Sequence, residues 1–239
     1  MIKINDLTIS FGEHTVLQNI NLQILKNRIT TIVGASGCGK SVLMKAIEGL
    51  IIPDSGNIEI DGENLLVQNR DGVRRIRKKI AMLFQGAALL DSLTVYQNVA
   101  LPLKEHTKKN DKEIYRIVEE KLNLVGLKNV MSKMPSELSG GMKKRVSLAR
   151  AIILQPEYII YDEPTTGLDP IIASEITELI KKMHANYGIT SIVITHDLDC
   201  IRKLQSRIAM IYNKKIIFDG SFQEFINSDI RQVRKFAGQ

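Results

Sequence analysis

The chain has 239 residues, of which 44% are hydrophobic and 25% charged, and its 33 Lys and Arg against 26 Asp and Glu give a formal charge of +7. That balance is a globular protein's, with enough chain to bury a real core in one domain or two tightly packed lobes. No apolar run approaches the roughly 18 residues that would span a bilayer, and two cysteines outside any C-x-x-C pair, Cys38 and Cys200, argue against a disulfide framework or zinc site and for a reducing cytoplasm.

The start, Met1-Ile2-Lys3-Ile4, has no n-region, h-region and cleavage site, so no export signal is expected. A charge of +7 suits nucleic acid, an anionic membrane surface or simply a basic exterior. The basic clusters at residues 74–79 and 143–145 lie in helical-looking segments without interleaved aromatics. With 5% aromatic residues and no Trp, no nucleic-acid platform is expected.

Ile2, Ile4, Leu7 and Ile9 are spaced for a pleated strand, with a turn near Gly12. Residues 29–33 form a short apolar strand that runs into a Gly-rich turn and a helix beginning at Lys40. That turn, Gly34-Ala35-Ser36-Gly37-Cys38-Gly39-Lys40-Ser41, fits G-x-x-x-x-G-K-[ST]. Its glycines let successive N–H groups point inward at phosphate oxygens, and the helix adds its positive dipole end. Lys40 supplies a cation for the β- and γ-phosphates and Ser41 a hydroxyl for Mg²⁺, so a nucleotide is the expected ligand. Cys38 sits beside Lys40 and a helix N-terminus, a setting that favours a lowered thiol pKa. It reads either as a redox switch or as a tolerated small residue turned away from the phosphates.

A turn at residues 53–56 and strands at 57–61 and 80–84 follow. From about Gly86 to Gln155 the pattern is helical, with Ile114, Ile117, Val118, Lys121 and Leu122 at i, i+3, i+4, i+7 and i+8. Strand–helix alternation then returns, with strands at 158–162, 189–195, 207–212 and 215–218. This predicts an α/β core with parallel strands and a helical insertion in its middle. The strand Tyr158-Ile159-Ile160-Tyr161 ends in Asp162-Glu163. Asp162 is placed to anchor a Mg²⁺ shell and Glu163 to polarise an attacking water. Beyond residue 220, Phe222, Phe225, Ile226, Ile230, Val233 and Phe236 recur at helical spacing. The stripe either packs on its own domain or docks its end on a second subunit.

Leu138-Ser139-Gly140-Gly141-Met142 is the discriminating string. A serine hydroxyl, small residues and a helix N-terminus make a second anion site, and the string resembles the signature of ATP-binding-cassette ATPases. The resemblance spans about residues 1 to 220. It implies a P-loop NTPase, RecA-like α/β core with a parallel sheet, an antiparallel β subdomain and an inserted helical subdomain. The divisions expected are 1–85 and 156–220 for the core, 86–155 for the helical part and 221–239 for a helical tail. It further implies ATP and Mg²⁺ held by Gly34 to Ser41 and Val42, with adenine stacked on Phe11 where the family usually has Tyr. Gln85 resembles the Q-loop glutamine that senses Mg²⁺ and faces a permease, Asp169 lies in a Gly167-Leu168-Asp169 D-loop, and His196 resembles the switch histidine on the γ-phosphate. Lys40, Glu163 and His196 are then the catalytic set; Ser41, Gln85 and Asp162 the metal set; Ser139, Gly140 and Gly141 the site facing ATP bound by the other subunit of a homodimer.

Narrower strings, Gly39-Lys40-Ser41-Val42-Leu43, the run from Phe84 through Leu103 and Gly140-Gly141-Met142-Lys143-Lys144-Arg145-Val146, look like the ATPases of Mla/MCE-type lipid transport systems. That resemblance implies a transmembrane permease partner, an MCE-type lipid-binding protein in the full complex and a peripheral place on the cytoplasmic face of the inner membrane. Apolar residues 87–90 and 101–103 suit a groove for a permease's short helix. The alternatives are an importer ATPase for amino acids or similar solutes, and a cassette ATPase without a membrane partner.

Overall fold

The computed structural model describes residues 1–238. The chain opens with β1 (Ile2–Phe11), β2 (His14–Ile24), β3 (Ile29–Val33), α1 (Lys40–Ile47), β4 (Ser55–Ile60) and β5 (Glu63–Asn64). Next come α2 (Arg70–Lys78), β6 (Ile80–Leu83), α3 (Val95–His106), α4 (Asp111–Leu124) and α5 (Gly140–Ile152). The remainder is β7 (Tyr158–Asp162), α6 (Pro170–Tyr187), β8 (Thr190–Ile194), α7 (Leu198–Leu204), β9 (Arg207–Tyr212), β10 (Lys215–Gly220), α8 (Phe222–Ile226) and α9 (Arg231–Ala237).

One sheet is antiparallel, in the order β2-β1-β4-β5. The other runs β10-β9-β3-β8-β7-β6, parallel from β9 to β6, with β10 returning antiparallel to β9. The central strands are buried on both faces, and side chains alternate between two cores. On β7, Tyr158 and Ile160 join the core shared with the antiparallel sheet and α1, while Ile159 and Tyr161 join the core under α3 to α6. Strand β8 divides likewise, with Ile192 and Ile194 against Val193.

Helices α2 to α8 each carry a side-chain N-cap: Asn69, Thr94, Asn110, Ser139, Asp169, Asp197 and Ser221. Helix α1 starts at Gly39 with no such cap. Among the described residues no helix is long and apolar enough to cross a membrane.

The expected tail is two short helices rather than one, broken between Asn227 and Ile230, and the expectation for Gln239 lies outside the described residues. Its stripe packs on its own domain. Phe225 and Val233 are buried against Val33, Ile208 and Met210, and Phe225 meets Phe218 and Phe236 edge-on at 5.4 and 6.2 Å. The exposed face of α9, with Arg231 and Arg234, stays open while Val233 is seated. Phe225→Ala should destabilise the fold by roughly 3–5 kcal/mol, the usual cost of emptying a buried aromatic site. Urea denaturation checks this, and a loss under about 1 kcal/mol would mean that the tail is not seated as described.

Candidate functional site

Strands β3, β8, β7 and β6 run parallel in register, Ile32 level with Ile194, Ile194 with Asp162, and Val193 with Tyr161 and Leu83. Their C-terminal ends therefore open at one sheet edge. From β3 the chain enters the glycine loop. Gly34, Gly37 and Gly39 all have positive φ, 152°, 77° and 104°. A Cβ on Gly34 would come within 2.5 Å of the Ile211 carbonyl oxygen, so the loop's tightness excludes any side chain there. Ala35, Ser36, Gly37 and Ser41 are exposed along the loop. Without a side-chain cap, the N–H groups of the first turn of α1 are open to an outside acceptor.

The Lys40 ammonium is buried and donates to the carbonyl oxygens of Gly34 at 2.8 Å and Ala35 at 3.0 Å, holding the loop closed on itself. An incoming anion would compete with these carbonyls. Val42 turns its side chain into the core, leaving only its backbone N–H for a ligand. Cys38 departs from expectation. Burial pushes its thiol pKa up, outweighing the lowering by Lys40, so the activated thiol of the redox reading is not formed. Phe11, at the end of β1, is 52% exposed and offers a free ring face.

Asp162 ends β7 and Glu163 leaves it with φ at 47°, left-handed for a non-glycine residue. The Glu163 N–H donates to the Ile194 carbonyl at 2.9 Å. Burial and the neighbouring Glu163 carboxylate raise the Asp162 pKa, opposed by Lys144, Lys40 and Lys45. Nδ1 of His196 lies 2.8 Å from Oε1 of Glu163, and the Thr166 hydroxyl donates to Oε2 at 3.1 Å. A carboxylate only accepts, so Nδ1 carries the proton and Nε2 of the exposed ring is left for a ligand. Thr165 donates to Asp197 at 2.8 Å, tying the segment after β7 to the segment after β8. Among the described residues no three His, Cys, Asp or Glu side chains gather into a metal cage.

Gln85 is exposed at the end of β6. The segment after it is fixed by the buried Asn98, which receives the Leu90 N–H and donates to the carbonyls of Leu90, Leu93 and Thr94. Of the residues expected to line a partner groove, Ala87 and Leu103 are instead buried in the core and Leu89 packs against it. A groove lies between α2, β6, α3 and α5, with Phe84, Leu101 and Leu154 as apolar lining and Arg74, Lys78 and Arg150 at its sides.

Ser139 caps α5, its Oγ accepting the Met142 N–H at 3.3 Å, which leaves the hydroxyl proton free to donate. A Cβ on Gly141 would lie 2.5 Å from Cγ2 of Ile172, and one on Gly140 would lie 3.3 Å from Leu168. The two glycines thus let this loop lie against Leu168, just before α6, and Ile172 in its first turn. Asp169, between these two, spends its carboxylate capping α6, on the N–H groups of Ile171 and Ile172. Among the described residues no hydrogen bond joins residues 34–41 to residues 139–141.

Sequence reasoning missed Thr166, Asp197 and Lys144. Lys144 read as part of a surface basic cluster, yet it is 4% exposed. The missed signal was its helical phase, since 141, 144 and 148 fall on one buried stripe of α5.

A family model described as ABC transporter matches residues 17–166. The chain is 39% identical over its whole length to the intermembrane phospholipid transport system ATP-binding protein MlaF of Haemophilus influenzae, covering 91% of that protein. It is 39% identical across 98% of its length to a probable ribonucleotide transport ATP-binding protein, mkl, of Mycobacterium tuberculosis, of which it covers 66%. The fold superposes on the dimeric ATP-binding cassette MJ0796, in a post-hydrolysis state bound to ADP and Pi, with a TM-score of 0.84 and 31% identity, covering 92% of this chain and 98% of that one.

Because burial raises the Cys38 pKa, its alkylation should still climb with pH where an ordinary thiol, near 8.5, has levelled off. Peptide mass spectrometry after iodoacetamide pulses at increasing pH checks this. Labelling complete and flat by pH 7.5 would restore the activated thiol.

Proposed function

We propose, on the premise that this chain belongs to the ABC transporter family, how its ATPase chemistry is divided among its residues and what it drives. The carrying observation is that Glu163 reaches the sheet edge with its carboxylate oriented by His196 and Thr166, at the edge where the open glycine loop also begins.

Residues 34–42 cradle the triphosphate, and Lys40 transfers its donors from the loop carbonyls to the β- and γ-phosphates. Phe11 stacks on the adenine. The hydroxyl of Ser41, Gln85 and Asp162 hold Mg²⁺. A set this small suits Mg²⁺, which keeps several waters and takes its remaining oxygens from the nucleotide; burial first, and the neighbouring Glu163 second, raise the Asp162 pKa, and a bound cation would oppose both. When bound, Mg²⁺ supplies charge neutralisation to the phosphates. Glu163 accepts a hydrogen bond, then a proton, from the in-line water. His196, with its Nδ1–H held by Glu163, needs a second proton on Nε2 to donate to the γ-phosphate and so acts there as the imidazolium.

Ser139, Gly140 and Gly141 serve the nucleotide of a second copy. The dimeric state named for a structural relative supports two composite sites related by a two-fold axis. The D-loop carrying Asp169 would cross that axis by its backbone and Leu168. The groove beside Gln85 receives a permease helix, which places the chain peripherally on the cytoplasmic face of a membrane. The transported class is phospholipid, with an MCE-type lipid-binding protein in the complex, following the relatives that match over nearly their whole length. A small-solute importer would be favoured instead if the permease that co-purifies in detergent carried no lipid in its extract.

Glu163→Gln should bind Mg-ATP yet release phosphate about 10²–10⁴-fold more slowly, the range a positioned base contributes, and should accumulate a dimer on size exclusion with ATP. Asp162→Asn should instead lose Mg²⁺-dependent nucleotide affinity. Phosphate release by Glu163→Gln at the wild-type rate would remove Glu163 from the base role.

A further inference from the structure

Lys144 lies one and a half turns into α5, whose N-terminus is the Ser139 loop. It is 4% exposed and forms none of the salt bridges found among the described residues. Its ammonium donates to main-chain carbonyls: Gln85, Glu163 at 3.3 Å and Phe84 at 3.5 Å. Burial lowers its pKa, and nearby Asp162 and Glu163 work against that.

Burying a cation without a hydrogen-bonded counterion is costly, and an apolar side chain of similar length would ordinarily serve packing as well or better. The position of the three carbonyls explains what the charge does. Strands β6 and β7 pair up to Leu83 and Tyr161 and then part, β6 into Phe84-Gln85 and β7 into Asp162-Glu163. Lys144 joins the two chains just past the last ladder pair. Glu163 is left-handed there, its N–H held by Ile194 on β8 and its carbonyl by Lys144. Both sides of a strained residue are thus clamped, and one clamp comes from the helix that carries Ser139. A second side chain of α5, Arg150, donates to the carbonyls of Ala87 and Ala88 at 3.2 and 2.8 Å. One helix therefore holds the backbone of the whole 84–88 segment.

We propose that Lys144 is a positioning residue for hydrolysis: by pinning the backbones of Glu163 and Gln85 to α5, it links the placement of the water-activating carboxylate to the placement of the Ser139 loop. This rests on the reading of Glu163 as the base. When α5 shifts to bring Ser139 onto the nucleotide of the second copy, the carbonyls of Gln85 and Glu163 move with it. Without Lys144, Glu163 can relax from its left-handed state and its carboxylate leaves the line of attack.

Lys144→Met, Lys144→Arg, Glu163→Gln and the double variant Lys144→Met/Glu163→Gln test this in the full chain with its ATP dimer. Lys144→Met should lower kcat by about 10–10²-fold, the scale of an ångström-sized misplacement, with KM and nucleotide affinity changed less than about threefold. Lys144→Arg, which keeps donors and charge, should recover part of the rate. In the Glu163→Gln background, Lys144→Met should change the residual rate by less than about threefold, because residues acting as a unit are not additive. A wild-type rate in Lys144→Met, equal losses of affinity and kcat, or a full multiplicative loss in the double variant would overturn the proposal. Should Lys144→Met not fold, an Arg variant without any rate change relative to Lys144→Ser would overturn it equally. A fast Glu163→Gln would instead refute the base assignment.

Discussion

The site depends on the register of five parallel strands. Ile32, Ile194 and Asp162 stand level across β3, β8 and β7, and the glycine loop, Glu163 and His196 follow one or two residues beyond that line. A one-residue slip of β7 would exchange the two cores that Ile160 and Tyr161 serve and would turn Asp162 to the opposite face. Burial on both faces makes such a slip prohibitive, since each central strand has apolar side chains committed on either side. The apolar alternation is therefore what aims the carboxylates.

Charge is concentrated and incompletely balanced at that edge. Lys40 is satisfied by its own loop, Lys144 by main-chain carbonyls, and the Asp162 carboxyl is pushed toward neutrality by burial and by Glu163. Each group is buried or half-buried with donors or acceptors that a phosphate and a divalent cation could redistribute. Low local polarity makes that redistribution energetically large. Binding can thus rearrange the loop, α5 and the strand ends together, including the 84–88 segment that Lys144 and Arg150 hold.

Overall identity, by contrast, does not separate cargoes. Relatives at the same identity are named for phospholipid and for ribonucleotide transport. An ATPase subunit contacts nucleotide, its second copy and a permease, so substitutions that follow cargo belong mainly to other chains.

By itself the sequence determined most of the strands, though not β2 or β5, and the glycine loop, the acidic strand end and the Ser-Gly-Gly start of α5, because each is a local pattern whose period or φ requirement is carried by adjacent residues. It also carried the tail's apolar stripe, although its break into two helices depended on turn geometry at Asn227–Ile230. Only tertiary structure decided the rest. Lys143, Lys144 and Arg145 look alike in sequence, yet helix phase and the gap between β6 and β7 bury the middle one among carbonyls. Cys38 beside a lysine looked activated, but packing around its sulfur raises its pKa. Leu89 and Leu103 looked like partner contacts, but Leu103 is buried in the core and Leu89 packs against it. In each case the deciding quantity is desolvation by residues far along the chain, which no local pattern encodes.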